Sequence, residues 1–278
     1  MLPRFFRSSL VNTSTAASRL AQVTSTLTPQ SLSIRPFSVS TMASPDITLY
    51  SAATPNGVKA SIFLEELGLP YKTVAIDLST NKQKEDWFLK INPNGRIPAI
   101  TDGDQRVFES GAILLYLADK YDTERKFSYP PGTPEYVEQL CWLMWQMGGL
   151  GPMQGQANHF RVFANVRSDY GIQRYMDETK RLYSVLESRL QQSPFLAGPK
   201  YTIADIACFG WARSAPNMLD IDLSQWPAVN KWFETIHQRQ AVQRGLRIPP
   251  PKISDEQFRD FIKAAREKMD ARENTDKK

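Results

Sequence analysis

Beyond residue 45 the apolar positions fall into two regimes. Up to about residue 121, apolar runs of strand length alternate with helical spacing; past about residue 134 only helical spacing remains. Ile47-Thr48-Leu49-Tyr50 reads as a strand, Gly57–Leu67 as a helix stopped by Gly68, and 71–78 as a second strand. Two such strands joined by a helix run parallel, with a right-handed crossover. Residues 82–91 read as a short helix burying Trp87 and Phe88. Arg96-Ile97-Pro98-Ala99-Ile100 and Gln105-Arg106-Val107-Phe108 follow as strands around Thr101-Asp102-Gly103-Asp104, whose Asp-Gly pair is a hairpin signal. Pro98 must sit where no ladder N–H is needed, which a cis Ile97–Pro98 bond provides. A helix over 109–121, with Ile113, Leu114 and Leu117 inward, closes a compact α/β domain.

The second regime is an all-α domain. Ile172, Tyr175, Met176, Thr179, Leu182, Tyr183, Leu186 and Leu190 recur at three- and four-residue steps, predicting a helix over 172–191. Thr202-Ile203-Ala204-Asp205 has the layout of a capping box, and Tyr201 and Ile206 are placed as its hydrophobic staple. Another helix starts near Pro227 and buries Val229, Trp232, Phe233 and Ile236. The expected divisions are a leader at 1–45, an α/β domain at 46–121, a linker at 122–134, a helical domain at 135–250 and a charged tail at 251–278.

Charge changes this picture at one end only. Residues 1–42 hold Arg4, Arg7, Arg19 and Arg35 and no acid; removing those four from the 34 basic residues leaves 30 against 29 acids. The body is near neutral, so the pI of about 9.1 does not call for a nucleic-acid partner. A Ser-, Thr- and Ala-rich leader with spaced arginines has the composition of a mitochondrial transit peptide, and Arg35-Pro36-Phe37-Ser38 resembles a matrix-protease site. Translation from Met42 would bypass it and leave a cytoplasmic form. No apolar run reaches the roughly 20 residues of a membrane span. Cys141 and Cys208 sit in apolar helical patterns and read as buried structural thiols.

Helix starts hold unpaired N–H groups and favour anions and thiolates. Two lie at one end of the sheet, at Thr54-Pro55-Asn56-Gly57 and Glu109-Ser110-Gly111, with the loop before Pro98 beside them. That crevice suits a ligand with a carboxylate at one end and a thiol in its middle. The free backbone at Ile97 is able to pair with its amides.

The chain from Asp46 to about Arg247 resembles the glutathione transferases, a thioredoxin-like domain followed by an all-helical one. It is most similar to the branch containing bacterial disulfide-bond oxidoreductases and the yeast nitrogen-regulation protein. Beside the two helix starts, the motifs are Asn92-Pro93-Asn94-Gly95-Arg96-Ile97-Pro98, Trp145-Gln146-Met147-Gly148-Gly149-Leu150-Gly151-Pro152-Met153, and Tyr201-Thr202-Ile203-Ala204-Asp205-Ile206-Ala207. The resemblance implies glutathione as a substrate, with no metal or cofactor. Glu109 and Ser110 match the pair that holds the γ-glutamyl end, Ile97 before Pro98 matches the backbone contact to the cysteinyl part, and Gln83 a contact to the glycyl end. Arg174 matches an arginine reaching glutathione from a second subunit, which implies a homodimer. Trp145, Met153 and His159 are expected in an apolar cleft for an electrophile or disulfide.

Lowering a thiol from about 8.5 by ~2 pH units asks for about 2.7 kcal/mol. A helix start offers ~0.3–1, up to ~2 when partly buried, so a direct donor is needed as well. Asn56 and Thr54 are the donors at the turn, and Asn56 matches the contact of this branch; Tyr50, on the strand itself, is the rival. With no cysteine at the turn, disulfide exchange must use glutathione thiolates. The functions that follow are conjugation of electrophiles, disulfide reduction with glutathione, or both; the alternative is a regulatory protein on the same fold. That yeast regulator has an Asn/Gln-rich N-terminus, whereas residues 1–45 hold only Asn12, Gln22 and Gln30, which favours the enzyme.

Overall fold

The computed structural model describes residues 44–274, so the leader up to residue 43 and the cleavage motif within it lie outside the described residues. Strands β1 (Ile47–Ser51), β2 (Tyr71–Ala75), β3 (Ala99–Asp102) and β4 (Gln105–Phe108) form one sheet in the order β2-β1-β3-β4. β1 runs parallel to β2 and antiparallel to β3, and β3 runs antiparallel to β4. Helix α1 (Gly57–Leu67) is the crossover, and it stops at Gly68, whose φ of 64° suits glycine. With α3 (Ser110–Tyr121) after β4, this is the expected thioredoxin-like domain.

Strand β2 is shorter than the 71–78 pattern because Asp77 turns the chain, its carboxylate accepting from the Ser79 N–H at 3.0 Å. Residues 82–91 give a single tight turn and then α2 (Asp86–Leu89). Phe88 is fully buried, but Trp87 is 40% exposed and donates its indole N–H to Glu85. The expectation that both point inward is therefore corrected. The Ile97–Pro98 bond is cis, and the ladder begins beyond it at Ala99.

The helical part comprises α4 (Pro134–Trp145), a π-helical turn at Gln146–Leu150, α5 (Gly151–Asn158), a second π-helical turn at His159–Phe163, and α6 (Asp169–Leu190). Then come α7 (Ile203–Leu219), α8 (Pro227–His237), α9 (Gln240–Gly245) and α10 (Asp255–Asp270). The Thr202–Asp205 capping box is present, and Asp205 also accepts from Leu196 N–H and the Trp232 indole. The charged tail contains α10, started by a second capping box at Ser254 and Gln257 and anchored by buried Ile262 and Met269.

One continuous core runs from β1, α1 and α3 into α7 and α8. Every α1 residue from Gly57 to Leu64 is buried, because the sheet covers one side and helical-domain elements the other. At the Gly245 end of α9 the backbone lies so near Ile62 that a Cβ there would sit 2.5 Å from its Cα. Cys208 is buried as expected; Cys141 is exposed, on one α4 face with Val137 and Met144. No helix among the described residues is long and apolar enough to cross a membrane.

Candidate functional site

The turn after β1 is held by its own backbone and by α7. Thr54 Oγ1 accepts from the Gly57 N–H at 3.0 Å, and Thr54 carbonyl from the Val58 N–H at 3.1 Å. Gly57 is required, since a Cβ there would meet the Ala52 carbonyl oxygen at 2.0 Å; Gly210 of α7 is likewise pressed to the Pro55 carbonyl, where a Cβ would lie 2.4 Å away. One residue further along α7, Trp211 donates its indole N–H to Asn56 Oδ1 at 3.0 Å. An indole N–H only donates, so it selects the amide oxygen and fixes which way the amide faces. Asn56 Nδ2 then has no protein acceptor among the described residues, and the side chain does not cap α1. Tyr50 lies on β1, with its ring 6.2 Å from Trp87 and 6.3 Å from Phe88.

At the second helix start, Glu109 has φ 68° and ψ 120°, a left-sided backbone that a glutamate adopts only at a cost. Its side chain is exposed, 3.5 Å from Asn94 Nδ2 on the loop before Pro98. Ser110 is buried, and no side chain caps the N–H groups that open α3. Ile97, between them and the turn, makes no backbone hydrogen bond among the described residues. Gln83 lies on the turn before α2, its Oε1 buried without a partner.

Behind Ser110 stands a lysine that sequence reasoning missed. Lys59 of α1 has no exposed surface; its Nζ donates to Ser110 Oγ at 3.2 Å and Gln146 Oε1 at 2.6 Å, and lies 3.6 Å from Met147 Sδ. Burial pulls its pKa down to about 7, against weaker upward pulls from Cys208 and Glu109. Gln146 and Met147 reach it from the first π-helical turn, a feature that re-aims side chains. A lysine inside an otherwise apolar helix pattern was the available signal, since lysines are rarely buried. Cys208 is no nucleophile, because burial pushes its thiol far up.

Trp145, Met153 and His159, expected in one apolar cleft, have the following surroundings. Trp145 packs edge-on to Trp142; His159 is exposed and packs edge-on to Phe160. Met153 lines an open cavity of about 740 Å³ with Arg174, Tyr170 and Glu178. Arg174 is exposed and, among the described residues, no carboxylate pairs with it. A second cavity of about 740 Å³ adjoins the turn at Ala53 and Val58 and carries Arg213, Arg247 and Lys252 against Asp255.

A thioredoxin-like sheet with two open helix starts, a cis-proline loop between them and an all-helical second half is the architecture of a thiol-peptide-binding enzyme. Comparison with known proteins agrees. Residues 45–119 match the glutathione S-transferase N-terminal domain and 167–240 its C-terminal domain. The disulfide-bond oxidoreductase YfcG of Escherichia coli is 47% identical over 207 residues, covering 72% of this chain and 94% of that one. A glutathione transferase homologue from Lodderomyces elongisporus, solved with two GSH per subunit, is 49% identical with a TM-score of 0.72, covering 74% of this chain and 99% of its own. The glutathione transferase URE2P6 of Phanerochaete chrysosporium, solved with oxidized glutathione, is 41% identical with a TM-score of 0.70, covering 72% and 94%. The chain belongs to the glutathione S-transferase family.

Proposed function

We infer that this protein is a glutathione-dependent transferase and disulfide reductase that activates glutathione as a thiolate. The single observation that carries the activation step is the Asn56 amide, oriented by Trp211 so that its NH2 is left for a ligand. A thiolate accepting from that NH2 at the start of α1 receives both a direct donor and the positive end of the helix dipole. Thr54 Oγ1 accepts from the Gly57 N–H and still has its own hydrogen to give. The α3 start and Ser110 suit the γ-glutamyl α-carboxylate, exposed Glu109 its ammonium, Ile97 the cysteinyl amide and Gln83 the glycyl end.

With an electrophile, the thiolate forms the C–S bond and the leaving group departs. With a disulfide, it attacks one sulfur and releases the other as a thiolate; a second glutathione then resolves the mixed disulfide. Two glutathiones are oxidised to one disulfide while the target is reduced to two thiols. The protein has no accessible thiol of its own at the turn, so both electrons come from glutathione. The names of the relatives, a disulfide-bond oxidoreductase and a transferase holding oxidized glutathione, favour the second reaction as a principal one.

A homodimer is part of this reading. Arg174 makes no ion pair among the described residues and has only Glu178, itself paired with Arg181, near enough to feel its charge, and the exposed face of α4 bearing Val137, Cys141 and Met144 is apolar. The transit-peptide composition of the leader supports delivery to mitochondria, with a cytoplasmic form arising from Met42. The test is Asn56→Ala: turnover in conjugation of an electrophile and in glutathione-dependent disulfide reduction should fall about tenfold or more, with glutathione still retained. Undiminished turnover would remove Asn56 from the mechanism and pass the role to Thr54 or Tyr50.

A further inference from the structure

Among the described residues, Lys59 is the one buried cation, and the proposed chemistry leaves it unused. Its ammonium has three hydrogens and three neighbours, Ser110 Oγ, Gln146 Oε1 and Met147 Sδ, none of them charged. A buried charge ordinarily has a counter-ion. Among the described residues no carboxylate lies within ion-pair distance of Nζ; Glu109, exposed at the mouth of the site, acts on it only from farther off. The other titratable group facing it is Cys208 of α7, kept as a neutral thiol by burial. The buried Asp205 raises the Cys208 thiol further and is not among the groups acting on Lys59.

The geometry points to Lys59 as a positioning residue that supplies the counter-charge for the α-carboxylate of a γ-glutamyl ligand at the start of α3, taking up a proton as that carboxylate arrives. This rests on the assignment of Ser110 and the α3 start to the γ-glutamyl end. The charged form acts through Ser110. An ammonium only donates, so Ser110 Oγ must accept from it, and the serine hydrogen, which without ligand goes to the weak acceptor Met147 Sδ at 3.6 Å, can be turned to a carboxylate as the stronger acceptor. A neutral amine has a lone pair that competes for that same hydrogen. Charge on Lys59 therefore both attracts the carboxylate and turns Ser110 into a donor towards it. A pKa near 7 in the free protein places the switch where it matters, since a new anion beside the amine raises its proton affinity.

The test is titration calorimetry on the full chain with S-hexylglutathione, whose sulfur cannot titrate, and with its analogue lacking the γ-glutamyl α-carboxylate (S-hexyl 4-aminobutyryl-cysteinyl-glycine). Each is measured from pH 6.5 to 8.5 in two buffers of different ionisation enthalpy. S-hexylglutathione should bind with uptake approaching one proton per site around pH 8, and its affinity should fall roughly tenfold from pH 7 to 8.5. Binding of the analogue should be weaker and show neither effect. In Lys59→Met, and in Lys59→Gln as the polar control, proton uptake and the added pH dependence should vanish, and the two ligands should differ by about tenfold less at pH 6.5. Because the proton count on the unsubstituted protein needs no variant, a failure of Lys59→Met to fold does not shelter the proposal.

Tight, carboxylate-dependent binding of S-hexylglutathione without proton uptake overturns the role of Lys59 alone. Equal binding of the two ligands, or no binding of either, overturns it together with the assignment of Ser110. A loss of affinity in Lys59→Met that is the same at every pH and for both ligands makes the lysine merely structural and also refutes the proposal.

Discussion

Replacing Trp211 with phenylalanine should raise the thiol pKa of bound glutathione without loosening the γ-glutamyl end. The perturbation removes one hydrogen-bond donor, the indole N–H that lies 3.0 Å from Asn56 Oδ1, and leaves an aromatic ring in the same pocket. Without that donor the amide is free to rotate and to present its oxygen to the thiolate, where it repels. A neutral hydrogen bond of this kind contributes ~0.5–1.5 kcal/mol. At about 1.4 kcal/mol per pH unit, the thiol should rise by roughly 0.4–1.1 units. Thiolate is read from its ultraviolet absorbance in the glutathione-saturated protein as pH is varied, with S-hexylglutathione affinity and thermal stability measured in parallel. Trp211 is 7% exposed, so some loss of stability from the smaller ring is expected and does not bear on the test. A folded Trp211→Phe protein with unchanged S-hexylglutathione affinity and an unchanged thiol pKa would refute the argument that Trp211 aims Asn56.

Three further outcomes follow from the geometry. Asp205→Ala leaves the Leu196 and Thr202 N–H groups, the Thr202 hydroxyl and the Trp232 indole without their acceptor; it should cost about 3–5 kcal/mol in chemical denaturation, and a loss below about 1 kcal/mol would contradict the role given to this box. Lys59, held near 7 when folded against an ordinary 10.5, binds fewer protons folded than unfolded between those values, so its burden on stability is greatest below pH 7 and is relieved as pH rises. The ligand-free protein should therefore gain about 2 kcal/mol relative to Lys59→Met between pH 7 and 9, and parallel stability curves for the two proteins would refute it. Residues 1–45 fused to a fluorescent protein should direct it to mitochondria, whereas a fusion beginning at Met42 should stay in the cytoplasm; identical distributions would end the targeting proposal.

The βαβ unit, the hairpin and the Thr202 helix start were legible because each is written in neighbouring residues: a Gly68 stop, an Asp-Gly turn, a Thr-x-x-Asp cap. The cis bond was legible too, since Pro98 at the mouth of a strand leaves few options. Trp87 was misjudged because a four-residue helix has too few turns for a burial pattern to show which side faces in. Cys141 was misjudged for the opposite reason: α4 has a long apolar pattern, and one of its apolar faces is exposed. Lys59 escaped because α1 is buried on all sides over its first two turns, which leaves its apolar neighbours as the one signal and no polar face against which its direction could be judged. Trp211 escaped because its contact with Asn56 spans 155 positions and no local signal links the two.

The wedge of the Thr54–Gly57 turn against Gly210 carries a lesson for recombination. Backbone from one half touches backbone from the other, and the next residue, Trp211, sets the direction of the amide in the first half. A chimera joined at the linker near residue 122 would therefore inherit its peptide grip from one parent and the aim of its sulfur donor from the other. On the proposed role of Asn56, parents differing at 56, 210 or 211 should yield chimeras that bind glutathione but activate it less well. On that reading the unit to keep together in recombination is this three-residue clasp across the seam, not either folded half.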